Sequence, residues 1–293
     1  MDPLDLVRLT PLRARTAGRP SVVVGLIDGP LAPDHPAFTG RRIREVRPAA
    51  GTGPCRHGDV CCAHGTAVAG LLVGTPGICP GCTLLSRPLF ADRPPGGGPA
   101  TCLTGVRTGE LADAITETVD AGARVLNLSL AQPAPSGIRD HALEAALDHA
   151  ANHGVIVVVA AGNQGRVGGG VLTTHPWVIP VVAYDPAGRP LPGSNLGASI
   201  GRNGLGAPGD RVSGTGFDGR PFPLSGTSAA APFVTGAAAL LLAALPAAGP
   251  VAVRHALTHT PGRRSGVLPP LLDAWSAYAA LRPARPRTPP PTS

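Results

Sequence analysis

Residues 21–30 read SVVVGLIDGP. From Ser21 to Ile27 the run is continuously apolar and β-branched, the mark of a strand buried on both faces of a parallel sheet. It stops at Asp28-Gly29-Pro30, a turn. Further strands are read at Thr83–Leu89 and at Arg124–Leu130 (RVLNLSL), another buried one at Val155–Ala160 (VIVVVA), and one more at Val178–Ala183 (VIPVVA). Segments with helical apolar spacing fall between and after these runs: a short helix ending near Ala17-Gly18, then His64–Val73, Glu110–Asp120, Ile138–Asn152, Ala229–Leu245 and Leu271–Leu281. The stretch PPGGGP at 94–99 is a loop. Strands alternating with helices predict an α/β fold of three layers, a mainly parallel central sheet with helices on both faces. Such sheets place their sites beyond the carboxyl ends of the strands, where Asp28 and Asn163 fall.

A chain of 293 residues can bury about 75% of the surface its unfolded form exposes, so its core needs no staple. The expected organisation is one domain over 1–281, followed by a Pro/Arg-rich tail, RPARPRTPPPTS (282–293), that reads as disordered. The formal charge is +7, and all 25 basic residues are arginine. They are scattered rather than clustered, and aromatics are only 3% of the chain. A nucleic-acid surface, which needs basic clustering on one face, is not expected. The N-terminus lacks a basic start followed by about 7–15 apolar residues, and no unbroken apolar run reaches the roughly 18 residues of a membrane span. The expectation is therefore a cytoplasmic chain without membrane partners.

Four residues stand in contexts that suit acyl-transfer chemistry. A serine nucleophile needs an adjacent base, the base needs a third group to hold its tautomer, and the oxyanion needs donors placed in advance. Asp28 closes an apolar strand in VGLIDGP. His64 opens the predicted helix HGTAVAG, whose small residues permit close backbone approach. Ser228 lies in SGTSAAAP, just before a long apolar helix, where free N–H groups favour negative charge. Asn163 follows a strand in AAGNQG, and its amide is a candidate second donor. Singly these are a turn former, a cap or surface histidine, an N-cap serine and an ordinary turn. Together, each in a matching context, they favour catalysis.

The segments VVVGLIDGPLAPDHPAF, HGTAVAGLL, GVIVVVAAGNQG and SGTSAAAPFVTGAAALL resemble the signatures of the subtilisin-like serine peptidases, in that family's order of Asp, His and Ser. The match runs from about Ser21 to about Leu245 and implies a subtilisin-like fold. It implies that Asp28 orients, His64 transfers protons, Ser228 attacks and Asn163 binds the oxyanion. It also implies that Ser129, Leu130 and Ala131 lie along one wall of the primary specificity pocket, and Ala160, Ala161 and Gly162 along the other. The expected partner is a peptide or protein, bound as an added strand.

The chain departs from many relatives at Ala131-Gln132-Pro133, where they carry glycines, and at Ala229, where they carry methionine. Substrate preference is therefore not carried over. Only 27 residues precede Asp28, too few for a folding-assistant pro-domain of the secreted kind. Asp34 and Asp59 are isolated, so no calcium cage is expected. Cys55, Cys61, Cys62, Cys79, Cys82 and Cys102 fall in one stretch. Zinc is conceivable at Cys79-Pro80-Gly81-Cys82 with Cys55, His57, Cys61 and Cys62, but a lone C-x-x-C is a weak signature. Disulfides or buried thiols are the expectation, with no metal and no cofactor. Phrases such as DPLDLVRLTPL, CTLLSRPLF and HPWVIPVVAYDPAGRPLPGSNLG are similar to the cyanobactin-type subtilases of ribosomal-peptide maturation, which implies a precursor peptide as substrate. The alternatives are a general intracellular degradative subtilase and a peptide-binding module on a peptidase fold.

Overall fold

The computed structural model describes residues 1–46, 55, 59–89, 106–129, 140–216, 221–259 and 266–282. Seven strands form one parallel sheet: β1 (Val23–Asp28), β2 (Arg42–Glu45), β3 (Thr83–Pro88), β4 (Val125–Leu128), β5 (Ile156–Ala160), β6 (Ile179–Tyr184) and β7 (Leu205–Pro208). Their spatial order is β2-β3-β1-β4-β5-β6-β7. A separate antiparallel pair joins β8 (Val212–Thr215) to β9 (Pro221–Leu224).

Before the sheet come two short helices, α1 (Pro3–Leu6) and α2 (Thr10–Arg13), where one was expected. The longer helices are α3 (Val60–Val73), α4 (Thr108–Asp120), α5 (His141–Asn152), α8 (Thr227–Ala244), α9 (Gly249–Thr258) and α10 (Ala274–Leu281). Two short ones, α6 (Val171–Thr174) and α7 (Ala198–Asn203), flank β6. The central strands split their side chains between two cores, as period-2 geometry dictates. Val24, Leu26, Val125, Ile156, Val158, Ile179 and Val181 join the core made with α3, α8 and α9. Ile27, Leu126, Leu128, Val157 and Val159 join the opposite core, made with α4 and α5. The three-layer architecture expected from the strand–helix alternation is the one observed.

Helix α8 is 18 residues long and apolar enough to cross a membrane, but 94% of it is buried inside the protein. It is the central helix of the larger core, packed on β4, β5, β6 and β7. Two boundaries correct the sequence reading. Helix α3 starts at Val60, so His64 sits in its second turn and does not open it. Asp59 is the N-cap, its carboxylate accepting the N–H groups of Cys61 and Cys62 at 2.8 and 3.4 Å. Helix α10 starts at Ala274 with Asp273 as its cap, so the segment from Leu271 is not helical at its start. The proposed tail lies outside the described residues after Arg282.

Candidate active site

The register of the sheet sets the site. Ile27 pairs with Leu128, and Leu128 with Val159. The next residues along, Asp28, Ser129 and Ala160, therefore stand in one row at the carboxyl ends of β1, β4 and β5. Neighbouring strands lie about 4.8 Å apart, so the groups carried by this row are within side-chain reach of one another.

Asp28 is fully buried. Its Oδ1 accepts the Gly29 N–H and pairs with His64 Nδ1, both at 2.7 Å. A carboxylate only accepts, so His64 Nδ1 carries the proton and Nε2 is left with its lone pair. Burial lowers the imidazole pKa and is the largest single influence. The Asp28 charge and its hydrogen bond together outweigh it, and the net shift is above the ordinary histidine value.

The contact depends on two glycines. A Cβ at Gly65 would overlap the carbonyl oxygens of Gly29 and Pro30, and one at Gly29 would overlap that of Cys61. Helix α3 thus seats its backbone directly on the turn after β1, which brings His64 onto Asp28.

Ser228 is the second residue of α8. Of the first four N–H groups of that helix, Thr227 gives its own to Asn163 Oδ1 at 2.9 Å, and Ala229 and Ala230 share the Gly226 carbonyl. Among the described residues the Ser228 N–H is the one with no acceptor, a donor held at the positive end of the helix.

Asn163 is fixed beside it. Its Oδ1 accepts both the N–H and, at 3.0 Å, the hydroxyl of Thr227. The same hydroxyl accepts the Gly162 N–H at 3.1 Å. These donors orient the amide and leave Nδ2 as its free donor. Gly226, at φ +93°, is what lets Asn163 so close: a Cβ there would stand 2.7 Å from Oδ1. Asn195 braces the loop from the other side. Its N–H bonds the Gly162 carbonyl, and its Oδ1 accepts from Gln164 and Arg166.

The Ser228 hydroxyl donates to the Ser129 carbonyl at 3.1 Å. Among the described residues no hydrogen bond joins it to His64. Ser129, expected along a pocket wall, turns its side chain inward to Asn127 at 2.8 Å and is fully buried. Only its backbone is placed to meet a ligand. Ala160, Ala161 and Gly162 lie where β5 runs into the Asn163 loop, Ala160 and Ala161 being 1% and 6% exposed. Leu130 and Ala131 lie outside the described residues. Thr227 and Asn195 were missed in the sequence. Thr227 was in view within SGTS, and only its hydroxyl's two-way role was hidden; nothing in the spacing pointed to Asn195.

The cysteines divide into two groups. Cys62 is bonded to Cys55, and Cys61 is also disulfide-bonded, so the first turn of α3 is tied to its surroundings. Cys79 and Cys82 are buried free thiols. A hydrogen bond between the two pushes the Cys79 thiol up and the Cys82 thiol down. Among the described residues no group of three or more metal-ligating side chains gathers.

Comparison with known proteins gives the family. The model of the subtilase family of peptidases matches residues 19–273. Mycosin-3 of Mycobacterium tuberculosis is 31% identical over 69% of the chain and 55% of its own length. A subtilisin of Bacillus pumilus is 30% identical over 82% of the chain and 83% of its own. The chain thus spans about half the length of mycosin-3, and 40% of that of fervidolysin from Fervidobacterium pennivorans. Among solved structures, the prenylagaramide maturation protease PagA superposes with a TM-score of 0.80 at 29% identity, covering 94% of this chain and 98% of that one. The patellamide maturation protease PatA gives 0.77 at 32% identity, covering 90% and 98%. The chain belongs to the subtilase family, and its fold is that of a serine endopeptidase.

Proposed function

We propose that this chain is a serine endopeptidase in which Ser228 attacks the scissile carbonyl, His64 moves the proton, Asp28 orients the imidazole and Asn163 binds the oxyanion. The observation that carries the assignment is the buried 2.7 Å pair of Asp28 and His64, because it fixes the one tautomer able to accept a hydroxyl proton at Nε2. The row of strand ends brings that imidazole to the side of β4 where Ser228 rests on Ser129. For attack, the Ser228 hydroxyl turns from the Ser129 carbonyl to His64, a tightening expected when substrate arrives. The tetrahedral oxyanion then sits between the Ser228 N–H and Asn163 Nδ2. His64 returns the proton to the leaving amine, and water releases the acyl group by the same route in reverse.

The finer reading is that the substrate is a ribosomally made precursor peptide whose leader is removed. It is supported by the likeness of fold and sequence to PatA and PagA, which are maturation proteases. Incubating the chain with short peptides encoded beside its gene and weighing the products is the test: one cut at the leader boundary supports it, and scattered cuts point to a degradative enzyme.

A fluorophosphonate probe is expected to label the wild type and not Ser228→Ala. An unlabelled but folded wild type would sink the peptidase assignment and favour a binding module. Asn163→Ala is expected to lower kcat by about 10²–10³ with little change in KM, the usual cost of losing an oxyanion donor; a loss below tenfold would remove Asn163 from the role.

Catalysis needs His64 neutral. Its pKa is raised above the ordinary value of ~6.5, so the protonated, inactive form persists to higher pH than for a free histidine. The acidic limb of the kcat/KM profile is accordingly expected to bend above pH ~6.5. An optimum at pH ~4, below that histidine value, would contradict the role given to His64.

A further inference from the structure

A buried chain of hydrogen bonds runs from the middle of helix α8 to Ser228. Thr235 Oγ1 donates to Asn127 Oδ1 at 2.8 Å. Asn127 Nδ2 donates to Ser129 Oγ at 2.8 Å. Ser129 Oγ donates to the Ser228 carbonyl at 3.5 Å, and the Ser228 hydroxyl returns to the Ser129 carbonyl at 3.1 Å. Thr235, Asn127 and Ser129 are fully buried.

The geometry follows from two periodicities. Asn127 and Ser129 are two residues apart and face the same side of the sheet. That side is the one Val125 shares with the core of α8. Ser228 and Thr235 are seven apart, two helical turns, and share one face of α8. Two same-face pairs therefore meet as rungs between strand and helix.

Two features set this chain apart from incidental core polarity. Buried threonines in helices ordinarily bond a carbonyl of their own helix, as Thr118 and Thr258 do here. Thr235 instead reaches across to the strand. And Pro232, inside α8, has no N–H to give the Ser228 carbonyl four residues back. The acceptor that the chain ends on is thus one that lacks its usual helical donor four residues on.

We propose that Thr235 and Asn127 are positioning residues for the nucleophile. They hold α8 at one setting along β4 and so fix the Ser228 hydroxyl and N–H against the row that carries Asp28. Any slip of the helix along the strand would strand buried donors and acceptors together, so the chain tolerates one setting only. This rests on Ser228 being the nucleophile.

The test compares wild type, Thr235→Val and Thr235→Ser in the full chain. Rates are expressed per site titrated with the fluorophosphonate. Thr235→Val keeps the shape and loses the hydroxyl. It is expected to lower kcat per titrated site by about ten- to a hundredfold, as small misplacements of a reacting group do, with KM nearly unchanged. The labelling rate should fall by the same factor, and Thr235→Ser should restore both. If Thr235→Val does not fold, Thr235→Ala is read in the same assay. The proposal is overturned if kcat per titrated site falls less than about fivefold, if the only loss is in melting temperature or number of titrated sites, or if serine does not rescue. A wild type that does not label defeats the peptidase assignment itself, whereas a labelled wild type matched by Thr235→Val defeats this proposal alone.

Discussion

The site depends on the in-register carboxyl ends of β1, β4 and β5. Parallel strands deliver their last residues to one edge, and the register here puts Asp28, Ser129 and Ala160 side by side. Other elements meet this row at each of its members. The turn after Asp28 receives helix α3, the backbone at Ser129 receives helix α8, and the loop after Ala160 carries Asn163. Three groups far apart in sequence become neighbours because the hydrogen-bond ladder admits no sliding: a one-residue slip would turn every side chain to the other core.

Glycine makes the second contribution. Helix α3 and the β1 turn touch backbone to backbone through Gly29 and Gly65, with no room for a methyl group on either. An ion pair held by long side chains would be loose. One held by a buried strand end and a helix seated on its backbone has little freedom left to lose. Thr227 does the corresponding work at the oxyanion side. Its N–H and hydroxyl bond Asn163, and its hydroxyl also takes the Gly162 N–H, so one residue ties the loop after β5 to the start of α8.

Much of this was legible in the sequence, because buried parallel strands announce themselves as apolar runs, Asp28 and Asn163 break two of those runs just past their ends, and His64 and Ser228 stand among small residues at the starts of apolar segments. What was not legible has physical causes. Strand β2, Arg42–Glu45, is polar at the edge of the sheet and carries little apolar signal. The sequence puts the start of α3 at His64 because the small, apolar run begins there; the cap is Asp59, and the intervening Cys61 and Cys62 read as disulfide or thiol chemistry rather than as a helical turn. The partners of the cysteines depend on loops whose course no spacing encodes. Asn127 and Thr235 were invisible for a different reason: a single polar residue inside RVLNLSL or PFVTGAAALL shows as an interruption in an apolar pattern, and only the packing of strand on helix shows that the two interruptions meet.

That meeting explains why the core tolerates polar groups at all. Asn127 and Thr235 could be replaced in shape by apolar residues, and the contact between β4 and α8 would still exclude water. Apolar surfaces, however, are indifferent to small translations, since burial scales with area and not with alignment. Hydrogen bonds in a medium without water are not indifferent, because a donor displaced from its acceptor loses the bond and keeps its desolvation penalty. From Gly236 to Ala243 the buried length of the helix that carries Ser228 is alanine, leucine and glycine alone, and such a surface by itself sets no registry. The polar rungs at Thr235–Asn127 and Ser129–Ser228 supply it at the one helix whose first turn has to be placed to within a fraction of an ångström.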